Sequence, residues 1–250
     1  MIACRMNFDT FVLAATTNDL TRESAARGLA DVVEFRMDKA DDPLEQLDDY
    51  DGELPLLATN RARWFGGQAV DTGRLDRLSA ASRSDHVEVV DVELETARGT
   101  EWVLDEFRDN GVDCIVSHHT FDDTPERGVL DAIFRQCGEY GDIAKVATFP
   151  QKHTDVLRLL RSIAVATETG IDVAGISMGE IGSHSRAVAP IYGSKLGYAP
   201  LADDESEYAP GQIPLERLRT LIDGLTEHSE IQRTGTASGE NAERRQPAEH

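Results

Sequence analysis

The sequence predicts a (β/α)8 TIM barrel, an α/β fold whose parallel sheet closes on itself inside a ring of helices. Three observations lead there. The chain is 250 residues long, the usual size of such a barrel. Short β-rich runs alternate with longer amphipathic segments, the order that parallel strands and helical crossovers require. Eight strand-then-helix units can be counted, which is the number for a closed barrel. An open Rossmann-like sheet is the main competitor, but no GxGxxG follows the first strand.

The strands are read at 11–16, 32–37, 55–59, 87–94, 112–117, 143–148, 173–178 and 196–201. Between them, Leu75, Leu78 and Ala81, or Val156, Leu159, Leu160 and Ile163, recur at helical spacing. After the last strand, Pro214-Leu215-Glu216-Arg217-Leu218 is a proline-led helix start. From Ser229 to His250 the chain turns polar with no apolar period, which reads as a disordered, dispensable tail. The barrel domain is therefore placed at 1–228 and the tail at 229–250.

Asp plus Glu total 46 against 25 Lys plus Arg, a net charge of −21. Such a surface repels nucleic acid and anionic membranes, so neither is expected as a partner. Only four of the cations are lysines: Lys39, Lys145, Lys152 and Lys195. This acid-rich, lysine-poor balance resembles that of proteins from salt-loving organisms, and the dispersed acids do not form a partner-recruiting block. No apolar run is long enough to span a membrane, and residues 1–5 lack a signal-peptide core. Cys4, Cys114 and Cys137 are scattered, odd in number and without CxxC spacing. They argue against a disulfide framework or thiolate zinc site and for a reducing cytoplasm.

In a barrel, polar residues at the C-terminal ends of strands are the candidates for function. Lys145 stands out, because it interrupts the apolar run 143–148. A charged lysine is costly to bury, so its pKa should fall and the neutral amine becomes a usable nucleophile. The other strand ends supply Glu34 and Arg36, Arg61, Asp91 and Glu93, Ser117-His118-His119, and Ser177-Met178-Gly179. Glu34 and Arg36 are two apart and share a face, as do Asp91 and Glu93. Inward-facing ions are tolerated only when paired or bound to a ligand, and a Glu34–Arg36 pair plugging the barrel is the structural alternative. Neighbouring His118 and His119 cannot both point inward from one strand. No HxH, HExxH or carboxylate ladder accompanies them, so acid–base work is favoured over metal binding. The segment from Met178 to Arg186 combines glycines, a helix start and a fixed cation, an anion pocket for either a phosphate or a carboxylate.

Taken together these residues resemble the type I 3-dehydroquinate dehydratases, Schiff-base enzymes of the shikimate pathway of aromatic amino acid biosynthesis. The matching pieces run in order from Val33-Glu34-Phe35-Arg36-Met37-Asp38, through Arg61 ahead of Gly66-Gly67, to Val90-Asp91-Val92-Glu93-Leu94. They continue with Ser117-His118-His119-Thr120-Phe121, Asp142-Ile143-Ala144-Lys145-Val146-Ala147, Ser177-Met178-Gly179 with Ser185-Arg186, Gly193-Ser194, and Ala209-Pro210-Gly211-Gln212-Ile213. The resemblance implies that Lys145 forms an imine with the ketone of 3-dehydroquinate and that His119 moves the protons. It also implies that Glu34, Arg36 and Arg61 hold ring hydroxyls and that Arg186 and Gln212 grip the carboxylate. No metal or organic cofactor is implied, since the lysine supplies the electrophile.

Four positions depart from the family pattern. Phe65 stands where bacterial members usually carry a glutamate before the double glycine, and Thr120 where an aspartate commonly follows the histidine. Ile176 replaces a methionine, and Tyr208 replaces a serine in the carboxylate-side lid. Glu93 or Asp91 is then expected to orient His119, and Tyr208 to join the substrate-binding set. Two other readings stay open. A class I aldolase would place a phosphate at 179–186 and need further basic residues there; a non-catalytic barrel would tolerate Lys145→Met. Relatives of the family often pair, which admits a homodimer, although no apolar stripe in the sequence marks an interface.

Overall fold

The computed structural model describes residues 6–201 and 210–235, with side chains described to residue 226. Eight strands form one parallel sheet: β1 Val12–Thr17, β2 Val32–Arg36, β3 Leu56–Thr59, β4 Val87–Glu93, β5 Asp113–His119, β6 Ile143–Thr148, β7 Val173–Ser177 and β8 Leu196–Pro200. The order β7-β6-β5-β4-β3-β2-β1-β8 wraps the chain into a barrel. Every strand end falls within two residues of the sequence reading, and the largest difference is at β5, which runs on through both histidines.

Strand alternation divides the apolar residues into two layers. Leu13, Val33, Phe35, Leu56, Val90, Val116, Ala144 and Val146 face outward into the core between sheet and helices. Val12, Ala14, Val32, Leu57, Val89, Ile115, Ile143, Ala174, Leu196 and Tyr198 pack inside the barrel. The inward sites change character along each strand. Val32 is followed on its face by Glu34 and Arg36, Val89 by Asp91 and Glu93, Ile115 by Ser117 and His119, and Ile143 by Lys145. The barrel thus has an apolar floor and a polar mouth at the C-terminal ends of its strands.

The seam between β7 and β8 is thinner than the other pairings. It is held by Lys195 N–H donating to Val173 O at 2.7 Å and by Gly175 N–H donating to Ser194 Oγ at 3.2 Å. Helices Arg74–Ala81 and His153–Glu168 fall on the segments with helical apolar spacing. Asp155 begins the second of these by accepting from the backbone N–H of Gln151 and Lys152 at 3.0 and 3.2 Å. The first crossover departs from the expected α-helix and is a 3-10 segment, Leu20–Ala25. Pro214 leads helix Leu215–Gly235, which continues past 228, while 236–250 lie outside the described residues. Among the described residues no helix is long and apolar enough to cross a membrane.

Gly175 lets helix His153–Glu168 lie close on β7. A Cβ there would come within 2.2 Å of Ile163 Cδ1 and 2.6 Å of its Cγ1. Overpacking of this kind costs about 1–3 kcal/mol. Gly175→Ala is therefore expected to lower the thermal midpoint by several degrees, roughly 2–4 °C per kcal/mol at this size; differential scanning calorimetry checks it.

Candidate active site

Strand register assembles the mouth. Glu93 pairs with Ser117 and Ser117 with Lys145, which sets three polar side chains at one level on successive strands. Asp91 sits one inward step below Glu93, fully enclosed at 1% exposure. Its Oδ2 lies 2.8 Å from Lys145 Nζ, its Oδ1 lies 2.8 Å from Arg61 Nη2, and Ser117 Oγ donates to Oδ1 at 2.7 Å. Burial alone would raise this carboxyl, but Arg61, Lys145 and Ser117 outweigh it and hold it well below the usual carboxylate range. Arg61 also reaches Glu93 at 3.3 Å, and Glu93 takes Arg74 at 2.9 Å through its other oxygen. Lys145 is buried, but it is not the isolated cation that its apolar run suggests: Asp91 compensates its charge.

His119 is the histidine that points inward. His118 turns outward, with Nδ1 3.3 Å from Glu95 Oε1 but outside hydrogen-bonding geometry. The His119 ring stacks on Phe65, with centroids 4.5 Å apart and planes at 22°, and Phe121 meets it edge-on at 5.8 Å. The expectation that Asp91 or Glu93 orients His119 is not met. The oxygens of Asp91 are taken by Lys145, Arg61 and Ser117, and those of Glu93 by Arg61, Arg74, Thr96 and the Ala62 N–H. Among the described residues His119 Nε2 has no hydrogen-bond partner. Burial, with Arg61 and Lys145 close by, pushes the imidazole well below its ordinary pKa. A neutral ring gripped by an aromatic face replaces the expected imidazole–carboxylate pair.

The remaining predicted residues line the same cavity, with the exception of Tyr208, which lies outside the described residues. Glu34 does not need Arg36 as a plug: it accepts from Thr16 Oγ1 at 2.7 Å and Thr59 Oγ1 at 3.1 Å. Arg36 forks onto Asp38 with two bonds of 2.8 Å. Arg186 is buried yet has no carboxylate within ion-pair distance among the described residues. It donates only to carbonyls, Gly211 O at 3.1 Å, Pro210 O at 3.3 Å and Tyr198 O at 3.5 Å, and burial lowers it to about 10. The predicted cradle of backbone amides at 178–186 loses its first two donors to the protein itself. Gly179 N–H donates to Pro210 O at 3.0 Å and Met178 N–H to Thr148 O at 2.7 Å. Gly211 makes this return possible, since at φ +72° its Cβ would fall 2.1 Å from Gly179 O. The fixed cation of this segment, Arg186, lines the cavity. Among the described residues no three His, Cys, Asp or Glu side chains converge as metal ligands would.

The chain and its fold have known relatives. Residues 10–228 match the family model described as type I 3-dehydroquinase. The chain belongs to the type I 3-dehydroquinase family. It is 47% identical over 226 residues to the 3-dehydroquinate dehydratase of Haloarcula marismortui, covering 88% of this chain and 98% of the relative. With that of Halobacterium salinarum it shares 46% over 227 residues, covering 88% and 100%. The solved 3-dehydroquinate dehydratase from Geobacillus kaustophilus superposes with a TM-score of 0.78 at 30% identity, covering 88% of this chain and 93% of that one. The two relatives come from salt-loving organisms, in keeping with the acidic, lysine-poor composition.

Within this type I 3-dehydroquinase, several mouth residues escape the sequence reading, Thr16 and Thr59 although they stand at strand ends. Thr16 and Thr59 hold Glu34, Asp38 holds Arg36, Arg74 reaches in from a helix, and Tyr198 lies beside Lys145. Alternation on β8 could have found Tyr198, since it shares a face with Leu196. The Phe65 stack yields a prediction. The His119 ring resonances should titrate below pH 6.5, and Phe65→Ala, which admits water, should move the midpoint upward; NMR against pH checks both. The sign follows from burial, which penalises imidazolium, so the base-competent neutral ring persists to lower pH.

Proposed function

We propose that this chain dehydrates 3-dehydroquinate to 3-dehydroshikimate through a Schiff base on Lys145, as a cytoplasmic enzyme of the shikimate pathway. Family membership gives the reaction class, a carbon–oxygen lyase that eliminates water; the covalent route and the residue roles are our reading. The observation that carries it is a buried amine and a buried guanidinium, with no acidic partner among the described residues, lining one cavity. A cyclic keto acid meets both needs: its ketone faces Lys145 and its carboxylate pairs with Arg186.

In this mechanism Lys145 passes its ammonium proton to His119 and adds as the amine to the ketone carbon, and the carbinolamine hydroxyl takes that proton back and leaves as water to give a protonated imine. The iminium withdraws electrons from the adjacent carbon, and His119 Nε2, with no partner to displace among the described residues, accepts the proton from it. The enamine expels the neighbouring hydroxyl, which takes that proton from His119 and departs as water. A second water hydrolyses the conjugated imine and returns the amine. Asp91 stays ionised and holds Lys145 towards the centre of the mouth. Glu34, Arg36 and Arg61 contact ring hydroxyls, Gln212 assists Arg186, and Tyr208 belongs to the same substrate-binding set.

Borohydride reduction in the presence of 3-dehydroquinate, followed by peptide mass spectrometry, should find the adduct on Lys145. Lys145→Met should remove it and lower kcat by at least about 10³-fold, while His119→Ala should lower kcat by about 10²–10⁴-fold. Turnover without an adduct would contradict the covalent route. No turnover in low or high salt would contradict the assignment of substrate.

A further inference from the structure

Three polar atoms in the mouth are buried and without a hydrogen-bond partner among the described residues: His119 Nε2, Gln212 Oε1 and Tyr198 Oη. The first two belong to residues already assigned to the chemistry and the carboxylate. Tyr198 does not. It is 4% exposed on β8, where the position faces the barrel interior, and a phenylalanine would fill that space without a stranded hydroxyl. Its ring lies under the Lys145 ammonium, with Nζ 4.1 Å from the centroid. Any ligand carbon joined to Nζ is therefore carried next to this ring. Of the other polar groups in the mouth, Thr16 and Thr59 are engaged with Glu34 and Arg186 with backbone carbonyls, while His119 Nε2 and Gln212 Oε1 stand open beside it. A buried hydroxyl with no acceptor among the described residues, beside the covalent centre, calls for an acceptor on the ligand.

We propose that Tyr198 contacts the substrate, its hydroxyl donating a hydrogen bond to an oxygen of the ligand held on Lys145. The ring face meanwhile lies against the nitrogen, which is cationic both as ammonium and as protonated imine. Burial, with Glu34 and Asp91 nearby, pushes the phenol well above its ordinary range, so it remains a donor throughout the working pH range. The inference rests on the dehydratase reading and adds to it a donor that discriminates oxygenated ligands from deoxygenated ones.

Tyr198→Phe isolates the hydroxyl, because it keeps the ring and its contact with Lys145. Full-length wild type and variant are compared for turnover of 3-dehydroquinate, borohydride-trapped adduct and thermal midpoint. We expect kcat/KM to fall about 10- to 100-fold, an adduct still on Lys145, an unshifted acidic limb of the pH profile, and a midpoint equal to or above wild type. A kcat/KM within twofold of an active wild type overturns the inference alone. A midpoint several degrees below wild type overturns it too, by revealing a structural partner for the hydroxyl. A wild type that neither turns over nor traps the substrate overturns the dehydratase reading itself, and this inference with it.

Discussion

The mouth of this barrel is organised by one buried carboxylate. Asp91 holds Lys145 with one oxygen and Arg61 with the other, both at 2.8 Å. Taking any of these ions out of water alone would cost several kcal/mol, so the three must form together or not at all. The network continues through Glu93 to Arg74 and ends on Thr96 and Asn60. Its position follows from strand register rather than from any local motif. Asp91 lies opposite Thr59 and Ile115, and Ser117 stands between Glu93 and Lys145.

The network itself sets three cations, Lys145, Arg61 and Arg74, against two carboxylates, Asp91 and Glu93. Glu34 is buried in the same mouth and its charge also bears on Arg61. The buried charges are thus close to balanced, while the chain carries −21 overall. Of the four lysines, Lys145 alone is buried. An acidic, lysine-poor surface suited to concentrated salt thus coexists with a charged interior that salt screens far less.

Much of this was legible in the sequence, for physical reasons. Continuous apolar β-runs mark strands buried on both faces, so all eight strands fell close to where they were read. A polar residue at a strand's C-terminal end is costly unless it serves the site, and that singled out Glu34, Arg36, Arg61, Asp91, Glu93, His119 and Lys145. What stayed hidden depends on contacts between distant segments. The partner of Lys145 lies 54 residues away, and no spacing rule finds it. Tyr198 reads as an ordinary core aromatic until Lys145 is seen over its ring. Phe65 was legible as the residue in place of an acid, but that its ring stacks on His119 appears only in the fold. The glycine-rich turn at 179 suggested free amides, but the return of Pro210 and Gly211 uses Gly179.

The claim that Asp91 exists to hold Lys145 can be measured as a coupling energy. The experiment is a double-mutant cycle of Asp91→Asn and Lys145→Met, each stability taken from denaturant unfolding. Asp91→Asn alone should cost about 3–5 kcal/mol by leaving buried cations uncompensated. In the Lys145→Met background the same change should cost at least about 1 kcal/mol less, because one of those cations is gone. Equal costs in the two backgrounds, to within about 0.5 kcal/mol, would mean that the pair is uncoupled and that something other than Asp91 places the lysine.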